Sequence, residues 1–353
     1  MSNLAEAKNK KAVINNSSHR LPLQCTLSDI FTEHNLKHAY LCARKGKRKR
    51  HKVFKFELEL NKNLSDLRQS ILNKTYTPDK CSGFDIYCTA GQKIRHIRAP
   101  SFRDNIAQFC IYNYLFPLID KHLIFHTCGC RRGKGQLLAS NLVNRYIRQS
   151  DKELYYLQTD IKKYYYSITR DKLKECLDYF IYNEDVKDLI LSWCNKDKGL
   201  NVGALISQFL GLIFLSEIDH YIKRVLKVKG YVRYVDDMVF IGLTRAQCHI
   251  IKGILELKLH DFDLSFSKWR IVKLKQNVNF CGYRNYGSFR LVRKRLLRTF
   301  NRSIKKMNFI RMQSVLAYAQ HSVNYLSMLN RINSINITLP LTIKRRIEND
   351  LLV

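Results

Sequence analysis

The spacing of apolar residues along the chain predicts a mixture of helices and strands. Apolar positions recur every three or four residues in 26–40 and 63–74, as on one buried face of a helix. Residues 99–120 and 171–194 show the same helical character, the first directly after a proline. Residues 53–60, VFKFELEL, alternate between apolar and charged and predict a strand. These patterns favour an α+β protein.

Strand patterns with turn residues between them recur in the middle of the chain. Residues 84–98 predict a hairpin that turns at Ala90–Gly91. Residues 154–160, LYYLQTD, predict a strand that ends on an acid, and 199–226 predict a glycine-containing loop followed by a helix. The stretch 229–242, KGYVRYVDDMVFIG, predicts a tight hairpin whose two apolar strands flank a pair of aspartates.

The last third of the chain contains a long region without carboxylates. No Asp or Glu occurs from Leu264 to Ile347. Within it, 289–307 predicts one amphipathic helix with a basic face. Its predicted apolar face consists of Phe289, Val292, Leu296, Phe300, Ile304 and Met307. A membrane-lying helix has the same outline, but the absence of acids over the whole region favours a helix that follows a nucleic-acid backbone.

Overall charge points to a polyanionic partner. Lys and Arg number 62 against 29 Asp and Glu, a formal net charge of +33 over 353 residues. Such a surface releases counterions when it binds phosphates, which favours nucleic acid over the alternatives of solubility or a membrane surface. The run ARKGKRKRHK (43–52) is interpreted as a phosphate contact or a solvated loop. CRRGKGQ (130–136) is a basic loop but lacks the spacing of a P-loop.

The eleven cysteines are scattered through apolar segments. Without a signal peptide or an apolar run long enough to cross a bilayer, they predict reduced thiols in a cytoplasm and no membrane partner. One cluster, KHLIFHTCGC, contains four possible zinc ligands. They are His122, His126, Cys128 and Cys130. Because they come in one run without a second half, we expect packing or turn roles rather than a zinc site.

Three acids are candidates for a catalytic centre. Asp236 and Asp237 would repel each other at the tip of a hairpin unless a cation lies between them, although a plain Asp-containing turn is also common. If the strand that ends at Asp160 lies beside this hairpin, three carboxylates meet at one sheet edge. Such a set suits two divalent ions, one activating a hydroxyl and one stabilising a pyrophosphate leaving group. With the basic surface, this predicts a polymerase or a nuclease.

Several motifs then resemble those of reverse transcriptases. YVDD between apolar strands resembles the catalytic box, DIKKYYYSI the first palm motif and VGALISQ the middle one, in matching order. IRAPSFRDNIAQ and CRRGKG are similar to finger segments of the bacterial, group II intron-like branch, and NFCGYR is similar to the primer-grip turn. The resemblance covers about residues 84–331. It implies the right-hand polymerase fold with fingers, an antiparallel palm sheet and a helical thumb.

The resemblance also implies a division of the chain and an activity. We expect a flexible tail at 1–24, fingers and the first palm helix at 25–152, the palm at 153–285 and a basic helical thumb at 286–353. The implied activity is RNA-directed DNA polymerase, a nucleotidyltransferase that uses dNTPs and two Mg²⁺ ions, with Mn²⁺ as a possible substitute.

Roles for individual residues follow from the same resemblance. Asp160 and Asp236 are implied to bind both metals with Asp237 in support, and Lys268 to protonate the leaving pyrophosphate. Tyr165 is implied to exclude a ribose 2′-OH. A packed aromatic ring and a surface lysine are the alternatives for Tyr165 and Lys268. Further implied nucleotide contacts are Lys93, Arg95, Arg103, Val202, Gly203 and Gln208. Implied primer and template contacts are Gly282, Tyr283, Arg293, Arg295 and Arg298.

Two departures from the common family pattern bear on biological role. Val202-Gly203 and Ser207-Gln208 resemble the reverse transcriptases of diversity-generating retroelements and of the related unknown-group enzymes of antiphage defence. We hypothesise that Val202 affects base selection.

No H-N-H, RNase H or integrase signature is recognised, so we expect a dedicated structured non-coding RNA template, a DNA product and a partner protein or oligomer. Defence is favoured over diversification. The alternative functions are a non-catalytic RNA-binding scaffold and synthesis primed by a tyrosine of the protein.

Overall fold

The computed structural model describes residues 22–88 and 93–334. These residues divide into two compact units, each formed by two separate stretches of chain. One unit contains the residues up to Lys121 together with Ile168–Leu210, and the other contains His122–Ser167 together with the residues from Gly211 onward. The predicted division into tail, fingers, palm and thumb stays a prediction.

The first unit is mostly helical and contains one two-stranded sheet. Its strands are β1 (Ser82–Cys88) and β2 (Lys93–Ala99), which pair in antiparallel fashion as predicted. The turn predicted at Ala90–Gly91 lies outside the described residues. The helices are α1 (Leu27–Ile30), α2 (Glu33–Arg44), α3 (His51–Leu58), α4 (Leu60–Leu72), α5 (Phe102–Asp120), α8 (Arg170–Phe180) and α9 (Glu184–Ser192).

The strand predicted at residues 53–60 is wrong, because this segment forms helix α3. In the helix, Phe56 and Glu57 both have partners elsewhere in the unit. Glu57 accepts hydrogen bonds from Tyr40 and Arg44 at 2.7 Å each, and the Phe56 ring packs edge-on against Phe102. These tertiary contacts outweigh a local alternating pattern, which is only a weak guide to structure.

Two of the predicted helices are interrupted. The helix predicted at 26–40 breaks where Thr32 caps the second piece through the backbone N–H of Asn35. The helix predicted at 171–194 breaks at Ile181, which forms a parallel bridge with Leu23. Asn183 then caps the next helix. Polar capping residues therefore mark boundaries that apolar periodicity alone does not show.

The second unit contains a four-stranded antiparallel sheet in the order β4-β5-β3-β6. Its strands are β3 (Tyr155–Ile161), β4 (Gly230–Tyr234), β5 (Asp237–Leu243) and β6 (Phe266–Lys273). Helix α6 (Gln136–Gln149) packs its apolar side against Tyr156, Val232 and Val239. Helix α12 (Arg245–His260) contacts β3, β5 and β6. Between β3 and β4 lie α7 (Tyr164–Ser167), α10 (Leu205–Phe214), which crosses from the first unit, and α11 (Ser216–His220).

A smaller antiparallel sheet and three helices follow in the second unit. The strands are β7 (Val278–Phe280), β8 (Tyr283–Asn285) and β9 (Arg290–Val292), and the helices are α13 (Lys294–Lys305), α14 (Phe309–Ala319) and α15 (Asn324–Asn333). The single helix predicted at 289–307 is therefore wrong over its first residues. Backbone pairing of β9 with β8 fixes Arg290–Val292 as a strand, and the amphipathic helix begins at Lys294.

One continuous helical stretch, Leu205–Val225, is long and apolar enough to span a bilayer on length and composition. The sequence had suggested that no such stretch exists. Of its most apolar window, 72% is buried inside the protein, as in the core helix of a soluble protein. Its composition is therefore weak evidence for membrane insertion.

Candidate active site

The two adjacent aspartates lie at a two-residue turn between β4 and β5. Tyr234 pairs with Asp237 across the hairpin, which leaves Val235 and Asp236 at the tip. On the neighbouring strand, Asp160 lies directly opposite Asp237 in the register. Directly opposed residues of antiparallel strands share a face of the sheet. The predicted approach of Asp160 to the hairpin is therefore confirmed.

The cluster is electrostatically unfavourable without a cation. Burial, together with the nearby charges of Asp236 and Asp160, raises the pKa of Asp237 to about 6. The positive charges of Arg293 and Arg270 oppose this shift. On the other side, the Ser267 hydroxyl donates a hydrogen bond to the Asp160 carboxylate. Negative charge is thus concentrated at one sheet edge.

The donor set fits a hard divalent cation. Carboxylate oxygens on rigid strands are the ligands that Mg²⁺ and Mn²⁺ prefer. Among residues 22–88 and 93–334, however, no three His, Cys, Asp or Glu side chains already converge closely enough to enclose an ion. Asp160, Asp236 and Asp237 are the residues that would hold it.

A cleft of about 1110 Å³ opens beside the acids. Lys268 lies directly opposite Asp160 on β6, on the same sheet face, and lines this cleft with Ser267. Its remaining charged lining is basic and consists of Arg270, Arg284, Arg293 and Lys294. Sequence reasoning missed Ser267 and Arg270, because no local motif distinguishes them from other surface residues, and it gave no role to Arg284 within NFCGYR.

Tyr165 lies close to the acids. It belongs to the short helix α7, directly after β3, and a Cβ on Gly211 would approach its ring to 2.8 Å. Tyr164 donates its hydroxyl to the Gly211 carbonyl at 2.6 Å. Burial raises the pKa of Tyr165, with smaller contributions from Cys130 and Asp236. Gly211, which the sequence did not single out, lets α10 approach this ring.

The histidine and cysteine cluster packs against the β4–β5 hairpin. The Cys128 N–H donates to the Arg233 carbonyl at 2.9 Å, and the Arg233 N–H donates to the His126 carbonyl at 3.1 Å. A Cβ on Gly129 would lie 2.7 Å from Val235. Residues 126–129 thus run along β4 and support the turn.

The predicted finger arginines lie in the first unit. Arg95 is exposed on β2. Lys93 begins the same strand, and its side chain is outside the described part of the structure. Arg103 is held within its own unit, 3.3 Å from Asp79 and over the ring of Tyr76. An incoming phosphate would have to compete with these Arg103 contacts.

Residues of the predicted middle motif also lie in the first unit, against the β1–β2 hairpin. The Arg98 N–H donates to the Val202 carbonyl at 2.9 Å. Gly203 has φ +113°, and a Cβ there would lie 2.6 Å from Ile97. Only glycine meets both requirements. Gln208 is exposed on α10.

The predicted primer-grip turn is tied to helix α14. Cys281 and Gly282 form the turn between β7 and β8 with positive φ values of 47° and 81°. Tyr318 donates its hydroxyl to the Cys281 carbonyl at 2.5 Å and closes over Gly282. The Tyr283 ring is buried and stacks on Tyr318 at 4.8 Å. Any support that Tyr283 gives to a primer therefore passes through the turn backbone.

The basic residues beyond the turn are exposed on one side of α13. Arg293 occupies the position just before the helix, and Arg295 and Arg298 follow on its solvent side. Phe300 is buried on the opposite side in a core shared with α14 and α15. This side of α13 therefore presents positive charge to solvent.

Residues 89–285 match the sequence profile of the family described as reverse transcriptase (RNA-dependent DNA polymerase). This is more than half of the chain. The chain belongs to the reverse transcriptase family. Its enzyme class is therefore RNA-directed DNA polymerase, a nucleotidyltransferase, and its fold is the mixed helix and sheet right-hand polymerase fold. The predicted family, fold class and enzyme class are confirmed.

Solved telomerase structures are distantly similar to this reverse transcriptase. Apo telomerase from Candida tropicalis truncated from its C-terminal domain is 13% identical with a TM-score of 0.46, covering 64% of this chain and 59% of that one. Telomerase from Candida albicans in complex with a TWJ fragment of telomeric RNA is 12% identical with a TM-score of 0.49, covering 78% and 57%. The chain spans less than two thirds of either telomerase. These values give no basis for transferring activity.

No curated protein sequence matches this reverse transcriptase.

Proposed function

We propose that this protein is an RNA-directed DNA polymerase that extends a primer on a dedicated non-coding RNA template by two-metal nucleotidyl transfer. The observation that carries this proposal is the register that places Asp160 directly opposite Asp237, next to Asp236 at the hairpin tip. A polymerase needs such a carboxylate cluster where a growing 3′ end and a nucleotide can meet. The basic cleft beside it suits the phosphates of a nucleic acid.

Divalent ions, when bound by the three carboxylates, supply activation of the primer hydroxyl and neutralisation of triphosphate charge. The other roles belong to side chains of this chain. Lys268, on the same sheet face as Asp160, can donate a proton to the leaving pyrophosphate. The Tyr165 ring, backed by Gly211, is rigid enough to reject a ribose 2′-OH.

The exposed arginines and lysines of α13 supply backbone contacts to the template-primer duplex. Contacts of this kind carry no sequence information and weaken steeply with salt. The template would therefore be selected by its fold and by a partner protein or oligomer contact. A net charge of +33 supports a large RNA partner.

Antiphage defence is the proposed setting, with error-prone copying in a diversity-generating retroelement as the second candidate. The observation behind both is the middle motif, with Val202 before its glycine and Gln208 after Ser207. Replacing Val202 by Gln tests its proposed link to base selection. An unchanged misincorporation rate for Val202→Gln would remove that link.

The activity test is extension of a primed RNA template with dNTPs and Mg²⁺, using wild type and Asp236→Asn. Wild type should make DNA, and the variant should bind the same RNA with unchanged affinity but make none. RNA binding without synthesis by wild type, in Mg²⁺ and in Mn²⁺, would instead indicate a scaffold. Sequencing the RNA that co-purifies separates the settings, since a template from a variable protein gene indicates diversification and a short repeated template indicates defence.

A further inference from the structure

A fully buried ion pair lies beneath the catalytic turn. Arg233 on β4 is 0% exposed and Asp219 on α11 is 1% exposed. The Arg233 Nε donates to Asp219 Oδ1 at 2.8 Å, and Nη2 donates to Oδ2 at 2.6 Å. Asp219 also accepts from the hydroxyls of Thr127 and Tyr231, each at 2.7 Å. Each oxygen of the Asp219 carboxylate therefore accepts at least two hydrogen bonds, and such bonds are what a buried charge requires.

The remaining donors of Arg233 reach backbone carbonyls. Nη1 donates to the carbonyl of Val235 at 2.8 Å, and Nη2 donates to that of Leu212 at 3.0 Å. One guanidinium thus connects α11, α10 and the residue that precedes Asp236. A lysine ammonium could replace the charge but not this planar fork.

The carbonyl that Arg233 holds belongs to a strained residue. Val235 has φ +59°, at the first central position of a two-residue hairpin, where glycine is usual. A β-branched residue in this region is an outlier that persists only when its surroundings enforce it. Here the surroundings are Arg233, which donates to the Val235 carbonyl, and Gly129, whose backbone lies against Val235.

We propose that Arg233, oriented by Asp219, is a positioning residue of the polymerase. It holds the Val235 carbonyl and thereby sets the direction in which the turn presents Asp236 and Asp237. This inference rests on the proposed function for its catalytic readout. The competing interpretation is a buried ion pair that only stabilises the fold.

The decisive variant is Arg233→Lys. It preserves the ion pair with Asp219 but cannot also hold the Val235 carbonyl. We expect kcat for dNTP incorporation, per folded molecule, to fall at least tenfold, with the KM for template-primer changed less than twofold. We also expect Mn²⁺ binding to the protein without nucleic acid, followed by electron paramagnetic resonance, to weaken at least fivefold.

The matched control is Lys187→Met. Lys187 is 4% exposed in the first unit, where it pairs with Asp178 at 2.5 Å and Glu184 at 2.6 Å. Its loss should lower the urea midpoint but leave kcat per folded molecule and Mn²⁺ affinity unchanged. The control therefore separates loss of a buried charged side chain and its ion pairs from loss of turn geometry.

A double variant, Asp219→Asn with Arg233→Met, removes both charges. It should regain part of the stability that Asp219→Asn alone loses, because no unpaired charge stays buried. Its kcat and Mn²⁺ affinity should stay at least tenfold and fivefold below wild type. Recovery of both together with stability, or wild-type values in Arg233→Lys, would overturn the positioning role. If wild type makes no DNA, the proposed function fails, and Mn²⁺ affinity alone still decides the positioning role.

Discussion

Two of the described hairpins that carry candidate residues are built in opposite ways: β4–β5, called the catalytic hairpin after its proposed role, and β1–β2, called the finger hairpin after its predicted domain. The catalytic hairpin β4–β5 is part of a four-stranded sheet, and its residues from Tyr231 to Arg233 are fully buried. The finger hairpin β1–β2 is a two-stranded sheet of its own, with Phe84 and Ile94 exposed by 51% and 60%. A lone two-stranded ribbon is marginally stable. The finger hairpin is anchored at Ile97 and Arg98 against the turn at Val202.

This difference matches the chemistry proposed for each hairpin. Acids that share metal ions need fixed separations, which a buried and fully hydrogen-bonded hairpin provides. Arginines that meet a mobile triphosphate need reach and exposure instead. Damage to the catalytic hairpin should therefore lower the rate of chemistry, whereas damage to the finger hairpin should weaken nucleotide binding.

The largest effect is expected for Asp236→Ala. Loss of a metal-holding carboxylate should reduce DNA synthesis by about a thousandfold or more, as measured in single-turnover primer extension. Asp66→Ala, at an exposed aspartate of α4, is the matched control and should keep wild-type rates. A loss smaller than about tenfold in Asp236→Ala would contradict the two-metal assignment.

Gly129→Ala should displace the turn that carries Asp236, because Gly129 packs against it. The added methyl group would lie 2.7 Å from the backbone nitrogen of Val235, so the turn must move. We expect a loss of about 1–3 kcal/mol in unfolding free energy by urea titration, and about a tenfold lower kcat. Gly253→Ala meets open space on α12 and should cause neither change. Unaltered kcat in Gly129→Ala would mean that the turn tolerates displacement.

Arg95→Ala tests the finger hairpin. We expect a rise of about tenfold in the KM for dNTP, since an exposed arginine that pairs with phosphate contributes about 1–2 kcal/mol. The urea midpoint should stay the same, because Arg95 is exposed. Replacing the neighbouring His96, which pairs with Asp85 on the surface, is the control and should leave this KM unchanged. A normal KM for dNTP with a lower kcat in Arg95→Ala would contradict the expectation that this hairpin serves nucleotide binding and not chemistry.

The smallest effect is a pH dependence that arises beside the catalytic hairpin. Burial, with nearby lysines and Arg145, lowers the pKa of His126 to about 4 from an ordinary 6.5. Between these values the unfolded chain binds a proton that the folded protein does not, so stability falls as the pH falls from 6.5 towards 4. Urea unfolding at pH 7 and pH 5 should show a smaller difference in His126→Phe than in wild type. Equal differences would exclude His126 as the source.

Much of the candidate site was readable from local sequence. The hairpin around Asp236 and Asp237 and the strand that ends at Asp160 were predicted, because strand alternation and turn residues are properties of adjacent positions. That the three acids meet could be predicted only on the condition that the Asp160 strand lies beside the hairpin, since local sequence does not indicate which strands pair. The register between β3 and β5 meets that condition.

The errors have a common physical cause. Residues 53–60 alternate like a strand, yet Tyr40 and Arg44 hold Glu57 on a helix. Residues 290–292 fit a helical face, yet β8 supplies a backbone partner for them. In both cases partners distant in the chain outweighed local periodicity.

By itself, the sequence determined the family, the enzyme class and the three acids, because these depend on residue types at short spacings. Only the tertiary structure decided how the acids are held. The Arg233 pairing with Asp219, the approach of Gly129 to Val235 and the packing of Gly211 on Tyr165 all join segments far apart in the chain. Such contacts leave no local pattern, since burial and close approach are properties of the folded chain and not of neighbouring residues.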